Sequence, residues 1–189
     1  RGDAATMTAS DAARRLGVLL EQDGIDYAIG GALALGTWGA PRGTKDVDLS
    51  VFVRQSGLPR VIDVFERAGV MFDRAAAPKD VARTGLFRGR LGIVPIDTFI
   101  SDHPHFWEMH RRRQRVNDPD GMSLYFITAE DLCIMKLVYG RGKDVTDLER
   151  LFAVRKLDVP YIRSWLAKMP VGPDRTAILD GLERRFANR

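Results

Sequence analysis

Ile29-Gly30-Gly31, followed after a short gap by Asp46-Val47-Asp48-Leu49-Ser50-Val51-Phe52-Val53, is the stretch whose reading decides the fold. Val47, Leu49, Val51 and Val53 fall at alternate positions, and Asp46, Asp48 and Ser50 occupy the places between them. That is the period of a β-strand with one buried face. Just upstream, Tyr27-Ala28-Ile29 reads as a short strand that stops at the glycine pair. Residues 32–38 read as a compact helix, closed by the turn formers Gly39, Pro41, Arg42 and Gly43.

Outward from this centre, helix and strand keep alternating. Residues 11–22 place Ala13, Leu16, Leu19 and Leu20 at helical spacing, with Ser10 as the expected cap and Gly24 as the stop. Residues 58–68 suit a second amphipathic helix, 70–72 an edge strand and 75–81 a loop. Residues 86–88 and 91–100 read as antiparallel strands around Gly89 and Gly92, with Pro95 marking a strand start or a bulge. The spacing lacks the evenness of repeated βαβ units, so the expected class is α/β (α+β) with a mixed twisted sheet flanked by helices.

Composition changes near residue 101, and the expected organisation is a core over 1–101 and a mainly helical part over 102–189. Within the latter, 103–113 reads as a helix, 117–121 as a turn and 124–127 as a short strand. Thr128, with Asp131 three residues on, resembles a capping box opening a helix that ends near Val138 or Tyr139, before Gly140-Arg141-Gly142. Helices over 144–154, 159–168 and 175–186 complete the chain.

With 189 residues, 45% of them hydrophobic, the chain can bury a core without disulfides. Its lone Cys133 lies in an apolar stretch and reads as a reduced, buried thiol. No apolar run reaches the ~18 residues of a membrane span and no signal-peptide core is visible, so the expected location is cytoplasmic. The polar residues 1–6 ahead of Met7 are set aside from the fold, and their Arg-Gly-Asp is not read as an adhesion motif. Lys+Arg 29 against Asp+Glu 25 leaves a net charge of +4, which permits an RNA or nucleotide partner without requiring one. The local run Arg111-Arg112-Arg113-Gln114-Arg115 reads either as a solvated segment or as a phosphate-contacting patch. His103, His105 and His110 have no cysteine neighbours, which removes a zinc-ligand pattern.

Chemistry concentrates at the glycines and acids. Residues i and i+2 of a strand face one side, so Asp46 and Asp48 can reach one ion. A third acid, Asp97, sits in the apolar run Ile96-Asp97-Thr98-Phe99-Ile100 and joins them if the two strands pair. Carboxylates gathered so closely call for a cation, and hard oxygen donors completed by substrate phosphates suit Mg²⁺ or Mn²⁺. Gly30 and Gly31 let the backbone approach a phosphate, with Arg42 and Thr44 near enough to hold a triphosphate or order the loop. A solvated Asp-x-Asp edge strand would look the same in sequence. Lys136 follows Ile134-Met135, and if half-buried needs a phosphate or an acid such as Asp147 as partner. Asp144 and Asp147 share a helix surface, and helix capping is a complete alternative for Asp144.

Ile29-Gly30-Gly31 with Thr44-Lys45-Asp46-Val47-Asp48-Leu49 and a downstream Asp97 resembles the nucleotidyltransferase (polymerase beta-like) superfamily. The run Thr128-Ala129-Glu130-Asp131-Leu132, Lys136-Leu137, Gly140-Arg141-Gly142-Lys143-Asp144 and Asp147-Leu148 resembles its AbiEii/AbiGii-type branch, which includes toxins of toxin–antitoxin pairs. The likeness spans roughly residues 25–155. It implies a nucleotidyltransferase fold whose helical C-terminal part closes a nucleotide cleft. It implies Asp46 and Asp48 as metal ligands, and Asp97 as the third acid, which activates an acceptor hydroxyl. Lys136 matches a basic residue directed to the nucleotide phosphates, with Lys143, Asp144 and Asp147 near the same cleft. Ala32 stands where much of the superfamily has serine. The implied activity is Mg-dependent transfer of a nucleoside monophosphate from an NTP, ATP included, to a hydroxyl or phosphate of a tRNA, a protein or a small molecule. A cognate antitoxin is the implied protein partner. The alternative is an inactive module that keeps the fold for nucleotide or protein binding.

Overall fold

The computed structural model describes residues 7–117 and 121–187. The leading hexapeptide and Asp118, Pro119 and Asp120 of the expected turn lie outside the described residues. In chain order the elements begin with α1 (Ala9–Gln22), β1 (Tyr27–Ile29), α2 (Gly31–Thr37) and β2 (Val47–Val51). A short 3-10 turn (Gln55–Gly57) leads into α3 (Leu58–Ala68), β3 (Val70–Met71), α4 (Ala77–Thr84), β4 (Leu86–Leu91) and β5 (Val94–Phe99). Then follow α5 (Pro104–Arg112), β6 (Gln114–Asn117), β7 (Ser123–Phe126), α6 (Ala129–Tyr139), α7 (Gly142–Val154), α8 (Val159–Leu166) and α9 (Pro173–Phe186).

The seven strands form one mixed sheet in the order β3-β4-β5-β2-β1-β7-β6. β2 lies antiparallel to β1 and parallel to β5, and β1 is parallel to β7. The strands of the back half therefore extend the sheet begun by the front half. Val47, Leu49 and Val51 are fully buried, as their alternation requires, while Asp48 lies on the opposite face. α1 packs on α3 and against β2. α2 packs on β2 and α6, and α6 is in turn surrounded by α7, α8 and α9. Cys133 is buried in α6, and burial pushes its thiol up. No helix among the described residues is long and apolar enough to cross a membrane.

Local chemistry explains the departures from the sequence reading. The cap of α1 is Thr8, not Ser10: the Asp11 N–H donates to Thr8 Oγ1 (3.1 Å), and the Asp11 carboxylate accepts from the Thr8 N–H (2.9 Å). The expected loop over 75–81 contains most of helix α4, with Pro78 in its first turn, where a missing N–H costs nothing. Gln114–Asn117 is a strand that the reading did not foresee. The strands around Gly92 form one hairpin whose two-residue turn takes Gly92 at φ +60° in its first central position. Pro95 sits ahead of the first β2 partner of β5, the pair Val47–Ile96, so its missing N–H breaks no bond to β2.

Candidate active site

The register of β2 against β5 pairs Asp48 directly with Asp97. Parallel neighbours in register point to one side, so the two carboxylates stand side by side, with Asp46 two residues before Asp48. Gly30 continues the ladder, its N–H donating to the Asp48 carbonyl at 2.8 Å. Gly31 opens α2 at φ +55°, and a Cβ there would come within 1.8 Å of Asp48 Oδ2. Glycine is thus required twice at this position, by backbone conformation and by the carboxylate pressed against it.

Burial, then the charges of Asp46 and Asp97, push the Asp48 carboxyl up to about 6, while Arg141 and Lys136 work against the shift. Asp46 behaves differently. Burial opposes its ionisation, but the Thr44 hydroxyl it accepts from, with Lys143 and Arg42 nearby, holds its carboxyl below the usual carboxylate value. Asp97 faces Arg88, its cross-strand partner on β4, at 3.3 Å. The crowded acids suit a divalent cation on chemical grounds: the donors are hard oxygens, and a positive charge would relieve the repulsion that raises Asp48. Among the described residues, no three His, Cys, Asp or Glu side chains form a ready-made ligand group. A cation held here would therefore complete its shell with substrate oxygens, as Mg²⁺ commonly does.

Lys136 is 5% exposed, and its Nζ donates to Asp144 (3.1 Å) and Asp147 (2.6 Å). Arg42 Nε donates to both oxygens of Asp147, at 2.9 and 3.1 Å. Asp144 also accepts the Arg141 N–H at 2.8 Å, so it closes the first turn of α7 as well as holding Lys136. Burial opposes ionisation of Asp147, but Arg42 and Lys136 keep its carboxyl below the usual value. Asp144 and Asp147 thus hold the basic residues, and Lys136 also lines a narrow recess with Gly30, Gly31 and Asp48. Lys143 lies on the open side, lining a separate cavity with Arg42, Thr44, Asp46 and Asp97.

Several neighbours escaped the sequence reading. Arg141 and Tyr139 close the recess beside Asp48, and burial and the nearby acids raise the Tyr139 phenol. Arg88 could have been found from the hairpin, since the turn at Gly92 sets it opposite Asp97. Thr128 caps α6 by accepting the Asp131 N–H, whereas the Asp131 carboxylate turns to other donors instead of completing the expected capping box. Fully buried, it accepts from Thr128 Oγ1 (2.7 Å) and the Tyr161 hydroxyl (2.7 Å) and lies 3.0 Å from His105 Nε2. The arginine run is neutralised residue by residue: Arg111 pairs with Glu108, Arg112 with Glu130, Arg113 with Asp26 and Arg115 with Glu21.

Residues 10–175 match the family described as a nucleotidyltransferase of unknown function (DUF6036). The chain belongs to this family. Solved structures share the fold of this nucleotidyltransferase at low identity. The lincosamide antibiotic adenylyltransferase LnuA, with lincomycin bound, is 12% identical over 79% of this chain and 100% of its own, with a TM-score of 0.58. The antibiotic-resistance factor ANT(2'')-Ia is 12% identical over 96% of this chain and 95% of its own, at 0.54. An antigenic nucleotidyltransferase-like protein from Paracoccidioides brasiliensis is 20% identical over 92% and 94%, at 0.50. No curated protein matches the chain in sequence.

Proposed function

We propose that this nucleotidyltransferase moves a nucleoside monophosphate from an NTP to a hydroxyl of a small molecule, releasing pyrophosphate. The observation that carries the reading is the side-by-side register of Asp48 and Asp97, with Gly31 bare beneath the Asp48 carboxylate. Asp46 and Asp48, joined by Asp97, would hold Mg²⁺ or Mn²⁺. Such an ion supplies Lewis-acid neutralisation of charge building on the phosphate oxygens.

The remaining work belongs to the chain. The Gly30–Gly31 backbone gives the phosphates close approach, and Thr44 fixes Asp46 in orientation. Arg42, held by Asp147, and Lys143 set positive charge where the pyrophosphate leaves, while Lys136, held by Asp144 and Asp147, keeps positive charge at the recess beside Asp48. Asp97, steadied by Arg88, takes the proton of the acceptor hydroxyl. The bond from that oxygen to the α-phosphorus forms as the α–β bridging P–O bond breaks. The helical back half closes the cleft over the strand core.

Two observations favour a small acceptor over tRNA or protein. LnuA is described with lincomycin, and ANT(2'')-Ia with adenylyl-2''-tobramycin. The run Arg111 to Arg115, the strongest sequence argument for RNA, has its charges answered by acids of this chain.

Titration calorimetry with four non-hydrolysable NTP analogues and Mg²⁺, beside the Asp46→Asn/Asp48→Asn variant, tests the proposal. Binding by the parent that needs Mg²⁺ and is lost in the variant is expected. Failure of every analogue to bind the parent overturns it. Binding of the analogues, with no pyrophosphate released when the natural NTPs are offered across a panel of small hydroxyl acceptors, would favour the inactive module.

A further inference from the structure

Three spaces lie along β2 and β5, one lined by Asp48, one by Asp97 and one by Phe99, and they differ in chemistry. The recess against Gly31 holds only about 40 Å³, too little for the body of any ligand. The open cavity holding Arg42, Lys45 and Lys143 is about 610 Å³ and rich in cations. A third, of about 200 Å³, lies where the sheet meets α5 and α6. It shares Phe99, Met135 and Tyr139 with the recess, so the two are adjacent and these three side chains stand between them.

The walls of this third cavity are Phe99, Phe106, Met109, Met135, Val138 and Met169, with a few small or polar residues between them. Among the described residues that line it there is no Asp, Glu, Lys or Arg. Two imidazoles, His103 and His105, also line it. Burial, and then the neighbouring His105, lower the pKa of His103, which favours the neutral ring. His105 gives its Nε2 to Asp131, behind the cavity wall.

The order of residues along β5 locates this cavity relative to the reaction. Pro95 and Asp97 line the cation-rich space, whereas Phe99 and Ser101 line the neutral one. Asp97 and Phe99 share a face of the strand, about 7 Å apart at the usual rise. Phosphoryl transfer sets attacking and leaving oxygens roughly in line. Pyrophosphate departing toward Arg42, Lys45 and Lys143 therefore leaves the other side of Asp97 for the attacking oxygen.

We infer that this neutral cavity is the acceptor site, and that the acceptor is an uncharged small molecule with an apolar body and a hydroxyl that reaches Asp97. The inference rests on the transferase reading and narrows it, because a polycation or an RNA strand would meet no complementary charge there.

Methionine methyl NMR supplies the test, since Met109, Met135 and Met169 line the cavity while Met7, Met71 and Met122 do not. The probes are 4-phenylbutanol and cyclohexanol as neutral alcohols, tobramycin as a polycation, and α,β-methylene-ATP with Mg²⁺. Saturable shifts of the three lining methyls with the alcohols, retained when the nucleotide analogue is bound and absent with tobramycin, are expected. Val138→Trp fills the cavity and removes those shifts; Ser101→Trp does the same from the β5 side should the first variant fail to fold. The inference fails if no alcohol moves the lining methyls, or if tobramycin moves them. It fails equally if the nucleotide analogue moves Met109 and Met169 and expels the alcohols, which would give the cavity to the base. Calorimetric nucleotide binding continues to report on the transferase reading in every case.

Discussion

Two groups of aspartates stand close together in this molecule and are treated in opposite ways. Asp144 and Asp147 are almost wholly buried, yet Lys136, Arg42 and the Arg141 N–H meet their carboxylates at 2.6 to 3.1 Å. Asp48, on β2, is crowded by Asp46 and Asp97, and among the described residues its side chain makes no hydrogen bond or ion pair. The same functional group is thus finished structure in one place and, at Asp48, lacks a paired counter-charge in the other. A protein can leave carboxylates repelling each other only where something from outside completes them, which is why the second group reads as a reaction centre.

The comparison breaks most visibly at Asp48 itself. Asp48→Asn is expected to lower transfer on the order of 1000-fold, or about 4 kcal/mol of transition-state stabilisation, measured as pyrophosphate release at saturating nucleotide. Retention of full activity would put Asp48 among the structural acids. In the balanced group the damage falls on the fold. Asp147→Ala strands Arg42 and leaves buried Lys136 with Asp144 alone, and should cost about 3 kcal/mol in urea unfolding, partly recovered by adding Lys136→Met.

A smaller effect has the opposite sign. Because burial and the neighbouring acids push the folded Asp48 carboxyl up to about 6, above the ordinary aspartate range, the folded state holds its proton more tightly than the unfolded chain. In chelator, stability contributed through this group is present below pH ~4 and is lost as pH rises through 6. Asp48→Asn should therefore stabilise the metal-free protein by roughly 1 kcal/mol or more above pH 6, with the gain vanishing near pH 4. Thermal unfolding of both proteins across that range checks it. The least change is expected from Thr44→Val, which removes the hydroxyl held by Asp46 and should weaken Mg-nucleotide binding about fivefold, or ~1 kcal/mol, by calorimetry.

Legibility of the sequence followed the range of the interaction. The alternation through Val47 to Val51 and the glycine pair were plain because strand period and turn chemistry act over a few residues. α4 was obscured by Pro78 and by its polar surface, since only Ala77 and Val81 are buried. β6 has no buried residue to announce it and exists through its pairing with β7. Apart from Lys136 and Asp147, eleven residues apart and paired already in the sequence reading, the charge partners were least visible. Arg42 and Asp147 meet across 105 residues and His105 and Asp131 across 26, distances at which no local pattern survives.

The position of β7 has a consequence for synthesis on the ribosome. β2 and β5 can join as soon as residue 99 has emerged, bringing Asp48 beside Asp97. β1 then still presents a bare edge, because its outer neighbour comes from residues 123–126. Lys136 and the α7 acids that hold it arrive later again. A nascent chain thus passes through a stage with the acid row assembled, one strand edge uncovered and the phosphate-side cations incomplete. That interval is when the polypeptide is most open to strand pairing with other chains and to capture by chaperones.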